Sequence, residues 1–525
     1  MGVFINTGNY GFQETRSGKY VDKSGIISFV NSRLRTVNKF LCVTRARRFG
    51  KTMTAKMLCA YYDNSCDSHS LFDDLEIATD PTLNGTYSEN LNKYPTIYLD
   101  MTRFVSRKKK LGKGIADAVE KGLAQDIANA YPELIVADMR LSEALLLVYA
   151  KTGLQFLFII DEWDAILREC AYDAVIVKDW IDFLRSLFKN GTVSKVFAGV
   201  YMTGILPIIK YDSQSALNNF KEYNMIDPGG LERYFGFTED EVRSLCDSSD
   251  MDFDEIKRWY DGYKLGDIGG IFNPNSVMEA VSRRKSNLYW RTTGAGDELK
   301  PYLRNEMRDD MEKLLNKEGI PVDTTSFDNM IKDVDTRDKV FTVLIHLGYL
   351  SYDGQEASIP NYELMMYFAS CIKNADLGGL SKVLSRSEDV LRCIRYNDEE
   401  RLSLLMGLSH DDVCGAMEYN KEQLLYTTLR ESLFFAHRDY IFHREYPTGK
   451  GFADLVLIPF PGRDIPAIVV ELKWDKSAEG PISQIKERNY PEKLFDYTGE
   501  VKLVGINYDK GTKVHECTIE TVSRR

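Results

Sequence analysis

An apolar run, Lys39 to Thr44, leads directly into the polar segment Arg45-Ala46-Arg47-Arg48-Phe49-Gly50-Lys51-Thr52. The next residues, Met53 to Tyr62, have a helical pattern. When a strand and a loop are followed by a helix that opens on Gly-Lys-Thr, backbone N–H groups and the helix N-terminus face phosphate groups. In this arrangement Lys51 reaches the β and γ phosphates of a nucleotide and Thr52 ligates magnesium. The segment therefore predicts a nucleotide site.

The loop departs from the common pattern G-x-x-x-x-G-K-T because Arg45 stands where the first glycine is usual. We therefore expect the loop to take a different backbone path. Arg47 and Arg48 would contact phosphate, reach a neighbouring subunit as arginine fingers in a homo-oligomer, or form a solvated basic loop, and the sequence leaves these alternatives open. The candidate nucleotide-binding residues of the loop are Arg47, Arg48, Phe49, Gly50, Lys51 and Thr52.

A second signal is the apolar run Leu157 to Ile160, which ends in the consecutive acids Asp161 and Glu162. In P-loop ATPases the first acid of such a pair holds the magnesium shell and the second polarises the attacking water. Asp161 is therefore a candidate for the magnesium shell and Glu162 a candidate catalytic base. A buried strand that ends in a solvated acidic turn is the alternative. The order of the two segments, loop first and acids later, favours nucleotide binding.

Short apolar runs alternate with helical stretches throughout this part of the chain. They are Lys39 to Thr44, Tyr94 to Met101, Leu154 to Ile160 and Val193 to Met202. This alternation predicts a parallel sheet covered on both faces by helices. ATPases with an added central strand place a polar sensor of the γ phosphate at the end of such a strand. Thr203 is the candidate here, and an ordinary Thr-Gly turn is the alternative.

These motifs resemble the AAA-ATPase-like family. The resemblance is carried by Arg45 to Thr52, Asp161-Glu162-Trp163-Asp164, Phe235-Gly236-Phe237-Thr238, Asn273-Pro274, and Tyr289-Trp290 with Thr293-Gly294. The loop of that family reads R-P-R-R-F-G-K, so Arg45 is typical of the family and Ala46 is a departure from it. The resemblance covers about the first 300 residues. It implies ATP and Mg²⁺ as cofactors, and a PD-(D/E)XK nuclease domain at the C-terminus.

Near the C-terminus, the strand-like runs Phe452 to Ile458 and Ala467 to Lys473 carry a second set of charged residues. Side chains alternate along a strand, so Glu471 and Lys473 share a face, and a hairpin pairing brings Asp454 beside them. Two carboxylates and a lysine suit metal-assisted phosphodiester hydrolysis, with Asp454 and Glu471 as magnesium ligands. Lys473 would orient the attacking water or help to deprotonate it. An exposed, salt-bridged hairpin is the alternative.

This constellation resembles the PD-(D/E)XK nuclease signature, with Ala453 in place of the proline. The resemblance implies that Gln484 lies on a helix near the metal. It also implies that Glu422, on a helix face with Tyr426, Leu429 and Leu433, is an acid that can complete the metal site. The family loop usually reads G-R-x-D-L, and here Phe452 stands in place of the arginine. The loss of that phosphate contact would weaken or redirect substrate binding.

The chain of 525 residues is long enough for about three domains. We expect an α/β protein with a P-loop ATPase domain and helical lid at residues 1–300, a helical connector at 301–415, and a restriction-endonuclease-like α/β domain at 416–525. The connector contains a helical pattern, Val340 to Leu350, and a hairpin turn at Asp353-Gly354. This pattern fits a helical spacer or, as the alternative, a winged-helix module that contacts DNA.

The net charge of −11 argues against a protein that coats nucleic acid by bulk charge. Residues 416–525 hold 16 basic and 17 acidic side chains, so the acidity lies almost entirely outside the last domain. The nine cysteines form no C-x-x-C pair, the six histidines show no ligand spacing, and no apolar run reaches 18 residues. We therefore expect a soluble, cytoplasmic protein.

Two functions fit the sequence. In the first, nucleotide state controls a magnesium-dependent nuclease that cleaves DNA. In the second, the chain is a nucleotide-switched module whose nuclease-like domain binds nucleic acid or a protein without cutting it.

Overall fold

The computed structural model describes most of the chain. It omits residues 1, 108–113, 136–138, 209, 212–213, 216, 291–298, 328–333, 414–421, 448–451, 475–496, 498 and 524–525. The chain divides into two compact units, Met1–Tyr289 with Lys317–Leu364, and Trp290–Asn316 with Met365–Arg525. The segment predicted as a connector, residues 301–415, contributes to both units. The division at residues 300 and 415 itself stays a prediction.

Within the described residues, the first unit contains twelve strands. They are β1 (Phe40–Thr44), β2 (Thr96–Asp100), β3 (Phe156–Asp161), β4 (Phe197–Gly204), β5 (Lys210–Tyr211), β6 (Gln214–Ser215), β7 (Lys221–Tyr223), β8 (Tyr263–Leu265), β9 (Ile268–Ile271), β10 (Ile320–Pro321), β11 (Ser351–Tyr352) and β12 (Glu356–Ser358).

The central sheet of this unit has five strands in the order β2-β3-β4-β1-β7. Every neighbouring pair in it is parallel, so all strands end at the same edge of the sheet. β1, β3 and β4 are buried along their whole length, as expected for a parallel sheet covered on both faces. The predicted parallel sheet is confirmed, and β4 is the added central strand, because it lies between β3 and β1.

Fifteen α-helices lie wholly within the described part of the first unit. In chain order they are Tyr10–Arg16, Ile26–Asn31, Lys51–Tyr62, His69–Phe72, Glu76–Thr79, Tyr87–Asn90, Thr102–Val105, Ile115–Ala130, Leu141–Thr152, Ala165–Glu169, Ala174–Phe188, Glu239–Asp247, Phe253–Tyr260, Pro274–Arg283 and Arg337–Leu347. The last four follow the sheet in sequence, and the first three of these form the region predicted as a helical lid.

An aromatic cluster fixes one face of the sheet. The Phe188 ring, at the end of the helix Ala174–Phe188, lies 5.5 Å from the Phe158 ring of β3 and 5.3 Å from the Phe197 ring of β4. Its ring is also 5.7 Å from that of Phe220, just before β7. Such ring pairs add to the free energy gained by burying the apolar surface. The cluster therefore packs the end of this helix against β3, against β4 and against the segment before β7.

The helix Arg337–Leu347 lies in the chain between β10 and the strands β11 and β12, and these three strands form a small antiparallel sheet of order β10-β12-β11. The pairing of Ser351 with Ser358 and of Tyr352 with Ala357 forms the hairpin predicted around Asp353-Gly354. A helix followed by a two-stranded wing is the arrangement that the winged-helix alternative requires. A contact with DNA stays a prediction.

The second unit contains β13 (Tyr440–Pro447), β14 (Phe452–Pro459), β15 (Ala467–Trp474), β16 (Glu500–Asp509) and β17 (Val514–Ser523) in that spatial order. Only β15 and β16 pair in parallel. Its helices are Arg308–Leu315, most of Tyr362–Lys373, Gly379–Tyr396, Glu399–Val413 and Glu422–Ser432.

One face of this second sheet packs against the last three helices. Leu425, Leu429 and Leu433 join Leu455 and Val470 in one buried cluster, and Tyr426 packs against it. The helix predicted to carry Gln484 lies outside the described residues. No helix in the described ranges is both long and apolar enough to cross a membrane.

Candidate nucleotide and metal sites

The loop between β1 and the helix Lys51–Tyr62 turns through two left-handed residues. Gly50, which precedes the helix, has a φ of +87°, and Arg48 has a φ of +70°. A φ in this range is uncommon for residues other than glycine. A Cβ atom placed on Gly50 would meet nothing within 4 Å, so the space in front of the helix N-terminus is open. The loop thus presents an accessible helix N-terminus.

Arg45, which replaces the usual first glycine, anchors the loop instead of lining it. Its side chain is fully buried, and its Nη1 donates hydrogen bonds of 2.8 Å to the carbonyl oxygens of Thr44 and Tyr223. Its backbone N–H donates to the carbonyl of Gly204 over 3.0 Å. Burial lowers the pKa of the guanidinium to about 10. Arg45 therefore ties the start of the loop to β7 and to the end of β4.

Lys51 is buried and directed back onto the loop, where its Nζ donates to the carbonyl oxygen of Ala46 over 2.9 Å. Burial lowers the pKa of its ammonium group, and the negative charges of Glu162, Asp164 and Asp161 oppose this. The lysine thus faces the acids that follow β3. A phosphate group that displaced the Ala46 carbonyl would give this ammonium group a stronger, charged partner.

Asp161, at the end of β3, is the most perturbed of these acids. It is 2% exposed, and burial, followed by the charge of Glu162, raises its pKa to about 6, while a hydrogen bond from the Thr52 hydroxyl opposes the shift. The Tyr98 hydroxyl donates to its Oδ2 over 3.3 Å. A buried carboxylate beside a threonine hydroxyl is the hard oxygen donor set that magnesium prefers. Thr52 and Asp161 therefore fit the predicted magnesium site.

Glu162, the candidate catalytic base, is held by an arginine. The Arg168 Nη2 forms an ion pair with its Oε2, and the Arg168 Nε donates to Oδ2 of Asp164 over 3.0 Å. Glu162 also has a φ of +53°, which is uncommon outside glycine. Asp164 and Arg168 had no predicted role in this site. Asp164 is the N-cap residue of the short helix Ala165–Glu169, which contains Arg168, and their spacing of four residues is the sequence signal typical of such an ion pair.

Thr203 lies at the same edge of the sheet, as predicted for a sensor. β4 pairs with β1 so that Thr203 stands opposite Val43, the last residue but one before the loop begins. The Trp163 N–H donates to the carbonyl of Thr203 over 3.0 Å, which joins the end of β4 to the segment after Glu162. Loop, acids and Thr203 thus meet at one edge of the sheet, and the sensor role of Thr203 stays a prediction.

The remaining loop residues differ in exposure. The Phe49 side chain is buried, with its ring edge-to-face against Tyr263 at 4.9 Å, so only its backbone can bind a nucleotide. Arg48 is half-buried, and burial together with the neighbouring charge of Arg47 lowers its pKa, against opposing contributions from Glu279 and Glu363. The choice between phosphate contact, arginine finger and basic loop stays open for Arg47 and Arg48.

In the second unit, β14 and β15 bring the other predicted residues together. Leu455 pairs with Val470, so Asp454 and Glu471 occupy the next opposed positions of the hairpin. Oδ2 of Asp454 accepts a hydrogen bond of 2.7 Å from the N–H of Leu472. Asp454 therefore lies directly beside the strand that carries Glu471 and Lys473.

Glu471 is 2% exposed, and its Oε1 lies 2.9 Å from Nζ of Lys473. A buried carboxylate with one ammonium partner and a neighbouring aspartate suits a divalent cation between two strands. Asp454, Glu471 and Lys473 are thus neighbours on two paired strands. Their catalytic roles stay a prediction.

Two further residues predicted for the metal site, Glu422 and Gln484, have side chains that the structure does not describe. Glu422 begins the helix Glu422–Ser432, and its side chain is not among those that the structure describes. Gln484 lies outside the described residues. Within the ranges that are described, no group of three or more His, Cys, Asp or Glu side chains is arranged to hold a metal ion. Asp454 and Glu471 are therefore two candidate metal ligands without a third beside them among the described residues.

Two family models match this chain. Residues 5–213 match a predicted AAA-ATPase family, and residues 421–517 match the PD-(D/E)XK nuclease superfamily. Both resemblances drawn from the sequence are thereby confirmed. No curated protein matches the chain.

Similar solved structures include two archaeal proteins. Cdc6p from Pyrobaculum aerophilum is 11% identical with a TM-score of 0.28, and the match covers 71% of this chain and 99% of that one. Orc1 from Aeropyrum pernix, solved in complex with DNA, is 11% identical with a TM-score of 0.24, covering 70% of this chain and 97% of that one.

Proposed function

We propose that this chain is an ATP-controlled DNA nuclease. One of its regions is similar to predicted AAA-ATPases, and another is similar to PD-(D/E)XK nucleases. The first unit binds ATP with Mg²⁺ and hydrolyses it. The second unit hydrolyses phosphodiester bonds of DNA with a divalent metal ion. Nucleotide state in the first unit controls turnover in the second.

The observation that carries the nucleotide half is the meeting of Thr52 with Asp161 beside the buried Lys51. Lys51 binds the β and γ phosphates, while Thr52 and Asp161 hold magnesium, which supplies charge neutralisation when bound. Glu162 polarises the attacking water, and Thr203 senses the γ phosphate. Each of these residues lies at the edge of the sheet where all five strands end.

The nuclease half rests on the position of Asp454 beside Glu471 and Lys473. The two carboxylates hold the metal ion, which lowers the pKa of a bound water when present. Lys473 orients that water toward the phosphorus atom. Glu422 and Gln484 are proposed to complete this site.

The nucleotide half is tested with a fluorescent ATP analogue and an ATP hydrolysis assay. Lys51→Ala is expected to weaken binding of the analogue by about 10- to 100-fold, because the charged partner of the phosphates is lost. Lys56→Ala is the matched control, since Lys56 lies on the same helix one turn further from the loop. Equal binding by wild type and Lys51→Ala would remove the nucleotide assignment.

The nuclease half is tested by magnesium-dependent cleavage of double- and single-stranded DNA. Glu471→Ala and Lys473→Ala are each expected to lower cleavage by at least about 100-fold. Glu516→Ala, an exposed acid on β17 of the same sheet, is the control that should cleave like wild type. Equal cleavage by all four proteins would exclude this site.

A second function is favoured by two specific observations. Phe452 stands where the family loop carries a phosphate-binding arginine, and the described residues offer only two clustered acids near Lys473. Both fit a nucleotide-switched module that binds nucleic acid or a protein without cutting. ATP binding that Lys51→Ala abolishes, together with DNA retention and no cleavage, would favour this function.

A further inference from the structure

Arg168 joins two acidic side chains that have different surroundings. Its Nη2 forms an ion pair with Oε2 of Glu162, and its Nε bonds Oδ2 of Asp164 at 3.0 Å. The exposed fractions of the three side chains are 11% for Arg168, 18% for Glu162 and 0% for Asp164. Charges this shielded from water interact more strongly than surface pairs do. The position of Glu162 is therefore coupled to that of Asp164 through one guanidinium group.

Asp164 in turn is fixed to the end of the central strand. Its Oδ2 accepts hydrogen bonds from the N–H groups of Ile205 at 3.2 Å and Leu206 at 2.9 Å. These two peptides directly follow Thr203 and Gly204, the last residues of β4. A continuous set of polar contacts thus runs from the end of β4, through Asp164 and Arg168, to the carboxylate of Glu162.

We propose that Arg168 is a positioning residue that restrains Glu162 in a resting arrangement and links its release to the end of β4. This inference rests on the proposed ATP hydrolysis. A general base must offer a carboxylate oxygen to the attacking water, and Oε2 of Glu162 is engaged by the guanidinium group. Contact of a γ phosphate with Thr203 would shift the Ile205 and Leu206 peptides, move Asp164 and Arg168, and free Glu162.

Arg168 has another acidic partner besides Glu162. Asp164 alone supplies Arg168 with a buried counter-charge, and two peptide N–H groups already satisfy the same Asp164 oxygen. The additional ion pair fixes Glu162, a residue whose backbone is already in the left-handed region. A restraint on the catalytic carboxylate is the effect that this second pair adds.

The test compares steady-state ATP hydrolysis by wild type, Arg168→Lys and Arg168→Gln, in the full chain. Neither a lysine ammonium nor a glutamine amide reproduces the planar guanidinium, which places Nε on Asp164 and Nη2 on Glu162 at the same time. We expect kcat to rise about 3- to 10-fold and KM for ATP to change less than about 2-fold. Adding Glu162→Gln to either variant should abolish the gain, because the released carboxylate is then absent.

Arg185→Ala is the matched control, since Arg185 is an exposed arginine of the helix Ala174–Phe188 and lies outside this set of contacts. Thermal unfolding identifies which Arg168 variants are folded, and the folded ones decide the outcome. A folded variant with kcat equal to or below that of wild type overturns the inference while the proposed function stands. Failure of wild type to bind the fluorescent ATP analogue overturns the proposed function, and the inference with it.

Discussion

At Asp161, in the nucleotide site, burial disfavours the charged form of the carboxylate. It is buried at the end of β3, and its pKa of about 6 lies well above that of an ordinary aspartate. At neutral pH its ionised form is held in the fold at a cost in stability. A bound cation would remove that cost, which explains why a chain would keep a carboxylate in this position.

Asp161→Asn is expected to stabilise the first unit at pH 8 by about 1 to 3 kcal/mol in the absence of Mg²⁺. A raised pKa means that the folded protein holds this proton more tightly than the unfolded chain does. The protonated form of Asp161 therefore contributes fully to the stability of the folded protein below the ordinary aspartate pKa. This contribution is lost as the pH rises through about 6. Asparagine does not titrate, so near pH 4 the two proteins should be equally stable.

Urea unfolding at pH 4 and pH 8, followed by far-UV circular dichroism, measures this difference. Addition of Mg²⁺ with ATP should stabilise wild type at pH 8 and leave Asp161→Asn unchanged, because the ligand binds only the intact site. A variant that is less stable than wild type at pH 8 would contradict the role of burial in raising this pKa.

Among the structural elements, the end of β4 is the most tightly packed part of the nucleotide site. A Cβ atom on Gly204 would lie 2.7 Å from Cδ1 of Trp163 and closer still to the Asp164 carboxylate. The Trp180 indole N–H, on the helix Ala174–Phe188, also donates to the carbonyl of Trp163 over 3.0 Å. Strand, acidic turn and helix therefore meet with no room for one more carbon atom.

Gly204→Ala is expected to lower the free energy of unfolding by about 1 to 3 kcal/mol, because the added methyl group forces Trp163 and Asp164 apart. Gly191→Ala is the control, since a Cβ atom there meets nothing within 4 Å. Urea unfolding of both variants at one pH gives the comparison. Equal loss of stability in the two variants would show that the close approach at Gly204 has no energetic consequence.

In the second unit, the helix Glu399–Val413 is joined to β17 by two buried histidines. Nδ1 of His410 lies 2.9 Å from Nε2 of His515, so one ring donates and the other accepts. Burial, followed by the charge of His410, lowers the pKa of His515 to about 4. The six histidines show no ligand spacing in the sequence, and for His410 and His515 the structure gives a specific partner.

Acidification is expected to loosen this helix and strand. A lowered histidine pKa means that the unfolded chain binds the proton more tightly than the folded protein does. The neutral form of His515 therefore contributes fully to the stability of the fold above about pH 6.5. This contribution is lost as pH falls toward about 4, by up to about 3 kcal/mol. Hydrogen exchange of the helix Glu399–Val413 at pH 7 and pH 5 reports the change, and His515→Gln should reduce it.

His69→Gln is the control, because His69 is exposed and lies in the first unit. It should leave the exchange of the helix Glu399–Val413 unchanged at both pH values. Wild-type protein with the same protection of this helix at pH 5 as at pH 7 would contradict the prediction.

Across the whole molecule, a feature could be predicted from the sequence where the residues that form an element also show its burial pattern. β3 is a continuous apolar run, and its acids follow at once, so strand and site could be inferred together. β7 was missed because Lys221–Tyr223 is short, polar and half-exposed, and becomes a strand only by pairing with β1. β13 and β17 were missed as well, since their polar residues obscure the alternation.

The contacts of Asp164 with Ile205 and Leu206, and of His410 with His515, were also beyond sequence reasoning. Each joins residues that are far apart in the chain, and no local spacing predicts which distant groups will meet. The candidate catalytic carboxylate Glu162 could therefore be named from the sequence, whereas its ion pair with Arg168 and the contacts of Asp164 could not.

The two candidate sites lie in separate units, so their coupling is a property of the whole chain. If ATP turnover controls cleavage, Lys51→Ala should lower DNA cleavage at least about 5-fold, although Lys51 is no part of the nuclease site. Lys473→Ala should abolish cleavage and leave ATP hydrolysis within about 2-fold of wild type. This asymmetry is expected because only the first unit consumes the nucleotide.

Cleavage of one DNA substrate, measured with and without ATP for wild type and both variants, decides between coupling and independence. ATP should accelerate cleavage by wild type and have no effect on Lys51→Ala. Cleavage by Lys51→Ala at the wild-type rate would mean that the sites work independently. The nucleotide site would then serve a different partner, because the nuclease site would have the same access to DNA in every nucleotide state.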